Sequence, residues 1–187
     1  MIDSLSDYGD TLAVISYHVG QTYQSTEARE REDFYDTGLA TPFVIFNGTY
    51  VAWEQNPSNY DSVFTENIEA ARTQPPYFNI YVDSAYASPS TGTFDLRIIT
   101  ADTIPEGNVV GFIAVLEDSL PGAYTEFMHV CRALYQFPVT LVYPDTLDTT
   151  ITFSHSIPPH NLKTVVFIQD LDTKEVMQAQ ITGFMEE

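Results

Sequence analysis

The sequence predicts an α/β unit followed by an all-β unit, and three observations lead to this fold class. Before residue 74, short apolar runs alternate with stretches of helix-forming residues. At Gln74-Pro75-Pro76 the helical periodicity stops, because proline forces extended backbone, and beyond it the apolar period is two. From there on, turns with Pro or Gly recur at short intervals, as between the strands of a β-sandwich. We therefore predict two domains, residues 1–74 and residues 75–187.

The first unit opens with a nearly continuous apolar run at residues 11–17, which is typical of a central strand that is covered on both faces. Ser25 occupies an N-cap position ahead of helix formers that extend to Gly38, so a helix of about three turns is expected. A second, amphipathic helix is expected over residues 60–73, where apolar residues recur at helical spacing.

A hairpin is expected between the two helices. Thr41-Pro42 opens a strand at residues 43–46, Asn47-Gly48 is the strongest short signal for a hairpin turn, and residues 50–53 return antiparallel. The order strand, helix, strand, hairpin, helix is what remains of a thioredoxin-like fold without its first strand and first helix. Those two elements would carry the Cys-x-x-Cys pair, which the sequence lacks. The first domain is therefore predicted to be an incomplete thioredoxin-like domain.

The second unit is predicted to be all strand. Strands are expected at residues 77–87, 92–101, 108–117, 124–134, 140–143, 149–156, 162–169 and 175–184. Short strands at this spacing, bounded by Pro or Gly turns, are typical of an antiparallel immunoglobulin-like β-sandwich. The predicted fold class is thus α/β plus all-β, a truncated thioredoxin-like domain followed by that sandwich.

Charge excludes some classes of partner. Seven basic residues stand against 26 acidic ones, which gives a formal net charge of −19. A surface of this sign repels phosphate backbones and anionic lipid head groups, so nucleic acid is not an expected partner. The charge indicates solubility or adaptation to salt more than a specific cationic partner. No apolar run is long enough to span a bilayer, and residues 1–10 are too polar for a signal peptide.

The residues that support thiol or zinc chemistry are sparse. The single cysteine, Cys131, excludes an internal disulfide and a Cys-based zinc site. His129 lies two residues before it in a predicted strand, so both side chains are expected on one face, but no third group orients them. A lone cysteine in an apolar strand is usually a small buried hydrophobe. The four histidines are dispersed, and we predict no catalytic residue, no metal and no cofactor.

Two carboxylate pairs invite a calcium hypothesis. Asp170 with Asp172, and Asp145 with Asp148, supply hard oxygen ligands, but neither pair lies in a twelve-residue loop with the required Gly and final Glu. Turn chemistry explains them better, because Asp binds its own backbone in tight turns.

Three further patterns have structural interpretations. Asn47-Gly48-Thr49 matches the N-glycosylation motif, yet the hairpin itself requires Asn-Gly. Glu117 and Arg132 lie in consecutive predicted strands and are expected to pair across the sheet. Exposed tyrosines would supply a binding face, although Tyr is ordinary on strands. The candidates are Tyr77, Tyr81, Tyr86 and Tyr124.

Three sequence patches together resemble a known family. They are Val14-Ile15-Ser16-Tyr17-His18, Phe112-Ile113-Ala114-Val115-Leu116-Glu117-Asp118 followed by His129-Val130-Cys131-Arg132, and Val165-Val166-Phe167-Ile168-Gln169-Asp170 with Thr173-Lys174-Glu175-Val176-Met177-Gln178-Ala179. The sequence resembles the Omp28-related outer membrane protein family of Bacteroidetes-type bacteria over nearly its whole length. That resemblance implies a thioredoxin-like domain ahead of an immunoglobulin-like sandwich, and a location in the cell envelope: periplasm, outer membrane surface or secreted.

The resemblance also has implications for function. Family members commonly begin with a secretory signal and a Cys-x-x-Cys segment, so an N-terminal portion is expected to be absent from this chain. In thioredoxin-like folds the residue matching Pro42 usually follows a cis peptide bond and frees the preceding backbone for an extended peptide, which makes Thr41 and Pro42 the implied peptide-binding site. The missing first strand would leave an exposed edge, through which a homodimer is expected.

The preferred hypothesis is a non-catalytic envelope or cell-surface protein that acts as a protein or peptide interaction module. The alternative is an enzyme, namely the C-terminal part of a secreted thiol-disulfide oxidoreductase whose Cys-x-x-Cys segment lies upstream. A third possibility is an acidic cytoplasmic protein of unknown role.

Overall fold

The fold is β-rich and contains two helices. The computed structural model describes residues 12–20, 22–38, 43–52 and 56–186. The elements are α1 (Thr26–Tyr35), β1 (Val44–Phe46), β2 (Tyr50–Ala52), α2 (Tyr60–Arg72), β3 (Phe78–Ala87), β4 (Thr91–Thr100), β5 (Val109–Glu117), β6 (Val130–Pro138), β7 (Thr146–Ser154), β8 (Leu162–Asp170), β9 (Val176–Gly183) and β10 (Met185–Glu186). The described elements therefore confirm the coarse part of the predicted fold class, a β-rich fold with two helices.

Strands β3 to β10 form a β-sandwich. One sheet has the order β10-β3-β4-β7 and the other has the order β6-β5-β8-β9. All neighbours are antiparallel except the two-residue pair of β10 with β3. The inner faces of both sheets share one apolar core, whose largest side chains include Phe78, Phe94, Leu96, Ile98 and Ile168.

Most predicted strands lie within a few residues of the observed ones, but two predictions were wrong. The strand expected at residues 124–134 begins only at Val130, because the preceding residues form a loop in which Ser119 and His129 have positive φ. The strand expected at residues 140–143 is a loop, and β7 starts at Thr146. Pro138 and Pro144 flank that loop, and neither can donate to a strand ladder.

The apolar run near the start of the chain does not form the central strand that we predicted. Residues 12–18 are extended, and their single bridge is a parallel one between Ser16 and Val130 of β6. The Ser16 N–H donates to the His129 carbonyl at 2.8 Å, and the Cys131 N–H donates to the Ser16 carbonyl at 2.9 Å. The run therefore adds to the edge of the sandwich, and alternate side chains from it pack on the outer face of that sheet. They are Ala13, Ile15 and Tyr17.

Helix α1 starts where the sequence predicts. The Ser25 hydroxyl accepts a hydrogen bond from the Ala28 N–H at 3.1 Å, as an N-cap does. The helix ends earlier than expected, at Asp36 rather than Gly38, because Asp36 itself adopts the left-handed conformation with φ 55°. Asp is one of the residues that tolerates this conformation.

The predicted hairpin is confirmed, and with α2 it forms a small unit. Phe46 pairs with Tyr50 around the Asn47-Gly48 turn, and one face of the hairpin packs on α2 through Ala52, Tyr60 and Phe64. The turn contacts the sandwich, since the Val176 N–H donates to the Asn47 carbonyl at 2.8 Å. Gly48 has φ 76°, and a Cβ there would overlap the Lys174 carbonyl, so the contact needs glycine.

Candidate functional site

The site implied by resemblance, Thr41 with Pro42, lies outside the residues that the structure describes. It stays a prediction. The sandwich and the segments packed on it supply the geometry of the other candidates.

Cys131 and His129 do not form a nucleophilic pair. The Cys131 side chain is fully buried, its Sγ lies 3.6 Å from the Ala133 carbonyl, and burial raises the pKa of the thiol to about 12. A thiol with this pKa is almost entirely protonated at neutral pH and is therefore a poor nucleophile. The hypothesis of a small buried hydrophobe accounts for Cys131.

His129 instead faces a buried carboxylate. Asp118 Oδ1 accepts the His129 backbone N–H at 2.6 Å and lies 3.4 Å from His129 Nδ1, while Asp118 Oδ2 lies 2.8 Å from Lys163 Nζ. Burial lowers the pKa of the His129 imidazole; the Asp118 carboxylate opposes this shift, and the Lys163 charge adds to it. The Asp118 carboxylate thereby holds the β5–β6 loop, and with it the carbonyl that binds Ser16, in place.

The predicted pair of Glu117 with Arg132 is confirmed. Arg132 Nε lies 3.3 Å from Glu117 Oε2 across the β5–β6 ladder. The same guanidinium lies 5.9 Å from the ring centre of Tyr23, whose hydroxyl donates to the Pro121 carbonyl at 2.9 Å. This contact joins the segment before α1 to the sandwich.

One carboxylate of each pair binds nearby backbone in a turn or loop, as the turn interpretation predicted. Asp170 Oδ1 accepts the Asp172 N–H at 2.9 Å, and Asp145 Oδ1 accepts the Thr146 N–H at 2.8 Å. Asp148 lies in β7 and pairs with Arg97 at 2.6 Å. Across the described ranges, no three His, Cys, Asp or Glu residues are grouped so as to hold a metal ion.

The four tyrosines do not share a face. Tyr81 and Tyr86 are exposed on β3, whereas Tyr124 lies in the β5–β6 loop and Tyr77 packs against the inner core. A binding face made of all four is therefore wrong.

A buried arginine fixes α1 to the outer face of the sheet β6-β5-β8-β9. The Arg31 guanidinium carbon lies 5.3 Å and 5.8 Å from the ring centres of Phe112 and Phe167. One guanidinium nitrogen donates to Gln169 Oε1 at 2.7 Å and to the Tyr35 hydroxyl at 2.8 Å. Cation–π contacts of a desolvated guanidinium are worth roughly 2 kcal/mol. We call Arg31, Tyr35, Phe112, Phe167 and Gln169 the arginine anchor.

One end of the sandwich carries an open groove of about 440 Å³ between the β4–β5 loop and the β6–β7 loop. We call it the loop-end groove. Its lining consists of Ile104, Pro105, Glu106, Gly107, Val109, Val139 and Leu141. Val142 and Tyr143, which follow Leu141 in the chain, expose 73% and 50% of their surface. Large apolar side chains in such positions are the usual anchors of a protein contact.

Both walls of the groove are held by hydrogen bonds. Asp145 exchanges backbone and hydroxyl hydrogen bonds with Thr100 at 2.8–3.1 Å, which fixes the β6–β7 loop to β4. The Leu171 N–H donates to the Asn108 carbonyl at 2.9 Å, and the Asp170 carboxylate packs against Gly107. The groove is therefore a built surface rather than a loose loop.

The rim of the groove is acidic. Asp102, Glu106 and Asp145 are exposed in the two loops, and residues 101–108 and 139–145 contain no Lys or Arg. This arrangement suits an apolar side chain of a partner segment that also carries positive charge. Sequence reasoning missed the groove because residues 140–143 were assigned to a strand. The signal that indicates a loop is the pair of prolines at 138 and 144.

Neither helix in the described part of the chain has the length and apolar character needed to cross a bilayer.

Comparison with known proteins gives similarity in structure alone. No protein-family model matches the chain, and neither does any curated protein sequence. Among solved structures, HBP35 of Porphyromonas gingivalis is similar over 84% of this chain and 58% of its own, at 11% identity and a TM-score of 0.56. The chain thus spans little more than half of HBP35, and at this identity the likeness shows a shared fold.

Two further solved structures are similar at lower TM-scores. A domain of the outer membrane lipoprotein Omp28 from Porphyromonas gingivalis covers 61% of this chain and 93% of that one, at 16% identity and a TM-score of 0.40. A β-glucosidase from Kluyveromyces marxianus covers 60% and 14%, at 8% identity and a TM-score of 0.33. At these TM-scores neither likeness supports a conclusion about the fold or the activity of this chain.

Proposed function

We propose that this chain is a non-catalytic protein-interaction module of the cell envelope, of the Omp28-related type. Two observations support the proposal: the three sequence patches that resemble this family, and the fold shared with HBP35 over 84% of the chain. The location in the envelope rests on the family resemblance and is part of the proposal.

The finer fold assignment is also part of the proposal. Named in chain order as immunoglobulin strands, β3, β4 and β7 are A, B and E, and β6, β5, β8 and β9 are C′, C, F and G. This order supports an immunoglobulin-like sandwich. The order of α1, the β1–β2 hairpin and α2 supports a remnant of a thioredoxin-like domain.

The loop-end groove is the observation that carries the proposed function. It combines half-buried aliphatic side chains in its lining, acidic residues in the same two loops and walls fixed by hydrogen bonds. Loops at the ends of a β-sandwich are where this architecture places its binding residues, because the sheets hold the loops rigidly. The partner that fits is a protein segment with an aliphatic or aromatic anchor beside Lys or Arg.

We base the proposed absence of catalysis on the burial and the protonation of the single thiol. The chain has one cysteine, and it is buried with a pKa raised to about 12, so it cannot perform thiol exchange at neutral pH. The competing oxidoreductase hypothesis requires a Cys-x-x-Cys segment encoded upstream of Met1. An insulin-reduction assay on the chain should show no rate above buffer, and measurable reduction would contradict a non-catalytic role.

The groove is tested by capture of partners from a cell-envelope extract on immobilised protein. Val142→Asp places a charge at an exposed valine of the β6–β7 loop beside the groove, and Val51→Asp makes the same change at an exposed valine of the β1–β2 hairpin. Proteins that the wild type enriches should be lost with Val142→Asp and kept with Val51→Asp. Equal capture by both variants would exclude the groove as the contact site.

A charge reversal sharpens this test. Glu106→Lys should weaken capture and make it less sensitive to salt, because a cationic partner loses its attraction to the rim. Unchanged capture at both 20 mM and 300 mM NaCl would show that the partner is not recognised by charge.

A further inference from the structure

The edges of the two sheets differ in how they are protected. An edge strand exposes unpaired N–H and C=O groups, and proteins block such edges with short strands, bulges, Pro, charged residues or covering segments. Among the described residues the sandwich has edge strands β6, β9, β10 and β7. Three of these show such devices.

β10 is only two residues long. β6 is bonded at its start by Ser16, carries Arg132 and ends in Pro138. β9 has a register shift against β8, and three of its backbone groups are bonded by the strand's own side chains. The Ala179 N–H donates to the Gln178 side chain, while the Gln180 and Thr182 side chains donate to the carbonyls of Ile181 and Gly183.

Within the described chain, strand β7 has only one of these devices, the charged residue Asp148, and its carboxylate is paired with Arg97 of β4. It runs for nine residues, pairs with β4 without a register shift and contains no Pro, Lys or Arg. Its side-chain hydrogen bonds to other strands all join it to β4: Arg97 donates to Asp148, Thr150 donates to Asp95, and Thr152 shares a hydrogen bond with Thr93. The opposite edge of β7 is therefore left open, with high strand propensity from its Thr residues.

We propose that two copies of this chain pair antiparallel through β7, with the two-fold axis at Thr150, and so form one continuous eight-stranded sheet. The register of β7 on itself carries this proposal. The pairs would be Thr146 with Ser154, Leu147 with Phe153, Asp148 with Thr152, Thr149 with Ile151, and Thr150 with Thr150.

This register is self-complementary on both faces of the strand. The inner-face side chains of Leu147, Ile151 and Phe153, which are half-buried or buried, would lie opposite inner-face residues of the other copy. The apolar core would thereby continue across the dimer. On the outer face, Asp148 of one copy faces Thr152 of the other, so no like charges stand opposite each other. A two-fold axis at Asp148 would place the two Asp148 carboxylates opposite each other. It would also pair only five of the nine residues of β7, four fewer than an axis at Thr150. The strand thus fits a second copy in one register better than in the others.

The net charge limits the strength of this pairing. Each copy carries −19, so the two copies repel each other at low ionic strength. At 0.15 M salt the Debye length is about 8 Å, and repulsion between distant charges is largely screened. We expect association to strengthen from 20 mM to 300 mM NaCl, which is the opposite of the salt dependence expected for a cationic partner in the loop-end groove.

Disulfide trapping in the full chain tests the contact directly. Thr150→Cys places two thiols opposite each other at the axis, whereas Thr93→Cys places one on the same face of β4, away from the edge. The native Cys131 is buried, so the wild-type chain is expected to form no covalent dimer and gives the background of the assay. Under mild oxidation we expect Thr150→Cys to form covalent dimer at least about tenfold faster than Thr93→Cys, because the paired strands raise the effective thiol concentration. Equal rates would overturn the proposal.

Mixing experiments test the register. Thr146→Cys mixed with Ser154→Cys should crosslink between the two variants, while each variant alone should crosslink more slowly. Faster crosslinking of either variant with itself would contradict an axis at Thr150.

Two lysine substitutions give shifts of opposite sign. With Thr152→Lys, the new side chain of each copy would lie opposite Asp148 of the other copy, and the two resulting ion pairs should lower the dissociation constant. With Thr150→Lys, two lysine side chains would lie opposite each other at the axis, and their repulsion should raise the dissociation constant. Sedimentation equilibrium at 300 mM NaCl measures both, with Thr93→Lys as the control of equal charge. A wild-type chain that stays monomeric at millimolar concentration, or two variants that shift in the same direction, would exclude this dimer. Capture by the groove would be unaffected by that result, since β7 takes no part in its lining.

Discussion

The two sheets of the sandwich have outer faces of opposite character. The outer face of β6-β5-β8-β9 is apolar and covered, and its residues lie beneath the segment 12–17 and α1. They are Phe112, Ala114, Leu116, Cys131, Val165 and Phe167. The outer face of β10-β3-β4-β7 is polar and open, with cross-strand pairs such as Arg97 with Asp148 and Asp95 with Thr150.

The two sheets differ in the spacing of buried residues along their strands. β8 is buried at nearly every position, whereas β4 alternates between buried and exposed residues. A strand that is covered on both faces needs apolar residues at every position, and one that faces water needs them at every second position. The sequence therefore tells which sheet is covered. What covers it follows from contacts that lie more than 70 residues away along the chain.

The largest effect is expected at the covered face. Phe167 is buried and stacks on Phe112 with ring centres 4.9 Å apart. Phe167→Ala removes this packing and one wall of the arginine anchor, and should lower the free energy of unfolding by about 3–5 kcal/mol. Urea unfolding measures it, with Tyr81→Ala on the open face as the control. A similar loss for both variants would mean that the two faces do not differ in burial.

The arginine anchor should give the next largest effect. Arg31→Ala removes a buried guanidinium and leaves the fully buried Gln169 Oε1 without that donor, which should cost roughly 2–3 kcal/mol. Arg31→Lys keeps the charge but loses the planar stacking and the paired hydrogen bonds, so it should recover only part of the loss. Arg72→Ala, an exposed arginine of α2, is the control.

Hydrogen exchange distinguishes anchoring from general stability. If the anchor holds α1 on the sheet, Arg31→Ala should increase exchange at α1 amides more than at β8 amides. An equal increase in both elements would show that α1 and the sandwich unfold as one cooperative unit.

The contact between the N-terminal segment and the sandwich should depend on pH. Burial lowers the pKa of His129 below its ordinary value of 6.5, so the folded state binds fewer protons than the unfolded state. Stability is therefore full above the unfolded pKa and declines as the pH falls through 6.5 toward the folded pKa. Burial also lowers the pKa of His18, which contributes with the same sign.

Urea midpoints at pH 7.5 and pH 5.5 measure this decline. His129→Asn should flatten it, because Asn tolerates the positive φ of this position and does not titrate. His160→Asn changes an exposed histidine and should leave the slope unchanged. A slope that His129→Asn does not reduce would assign the pH dependence to other groups.

Local signals in the sequence predicted local structure well. Ser25 capped its helix, Asn47-Gly48 formed its hairpin, and the Asp residues of the turns bound their own backbone. Each of these depends on a few neighbouring residues, so the sequence alone contains the cause. The run at residues 11–17 was wrongly predicted to be a central strand, because its one described bridge is to a strand edge more than 100 residues away in the chain.

The candidate site was harder to predict for two physical reasons. Helix α1 is rich in charged residues, and the pattern rules treat Arg31 as polar, although it is buried among aromatic rings. Residues 140–143 have the composition of a strand, and apart from the flanking prolines it is the tertiary contacts of their loop that decide against it. Propensity is overridden where a few hydrogen bonds, such as those of Thr100 with Asp145, hold a loop in place.

The smallest effect is expected at the open face, and it tests whether that face is open in solution. Arg97 donates to Asp148 at 2.6 Å, but both side chains are about half exposed. Because water screens the pair, it should contribute little to the free energy of unfolding. Arg97→Gln should leave the urea midpoint of the monomer unchanged at 20 mM NaCl. At 300 mM NaCl and high protein concentration, the variant should still unfold with the wild type, because Arg97 lies one strand away from the β7 edge. A large loss under either condition would mean that another chain or segment covers this face, and the contrast between the two sheets would then disappear.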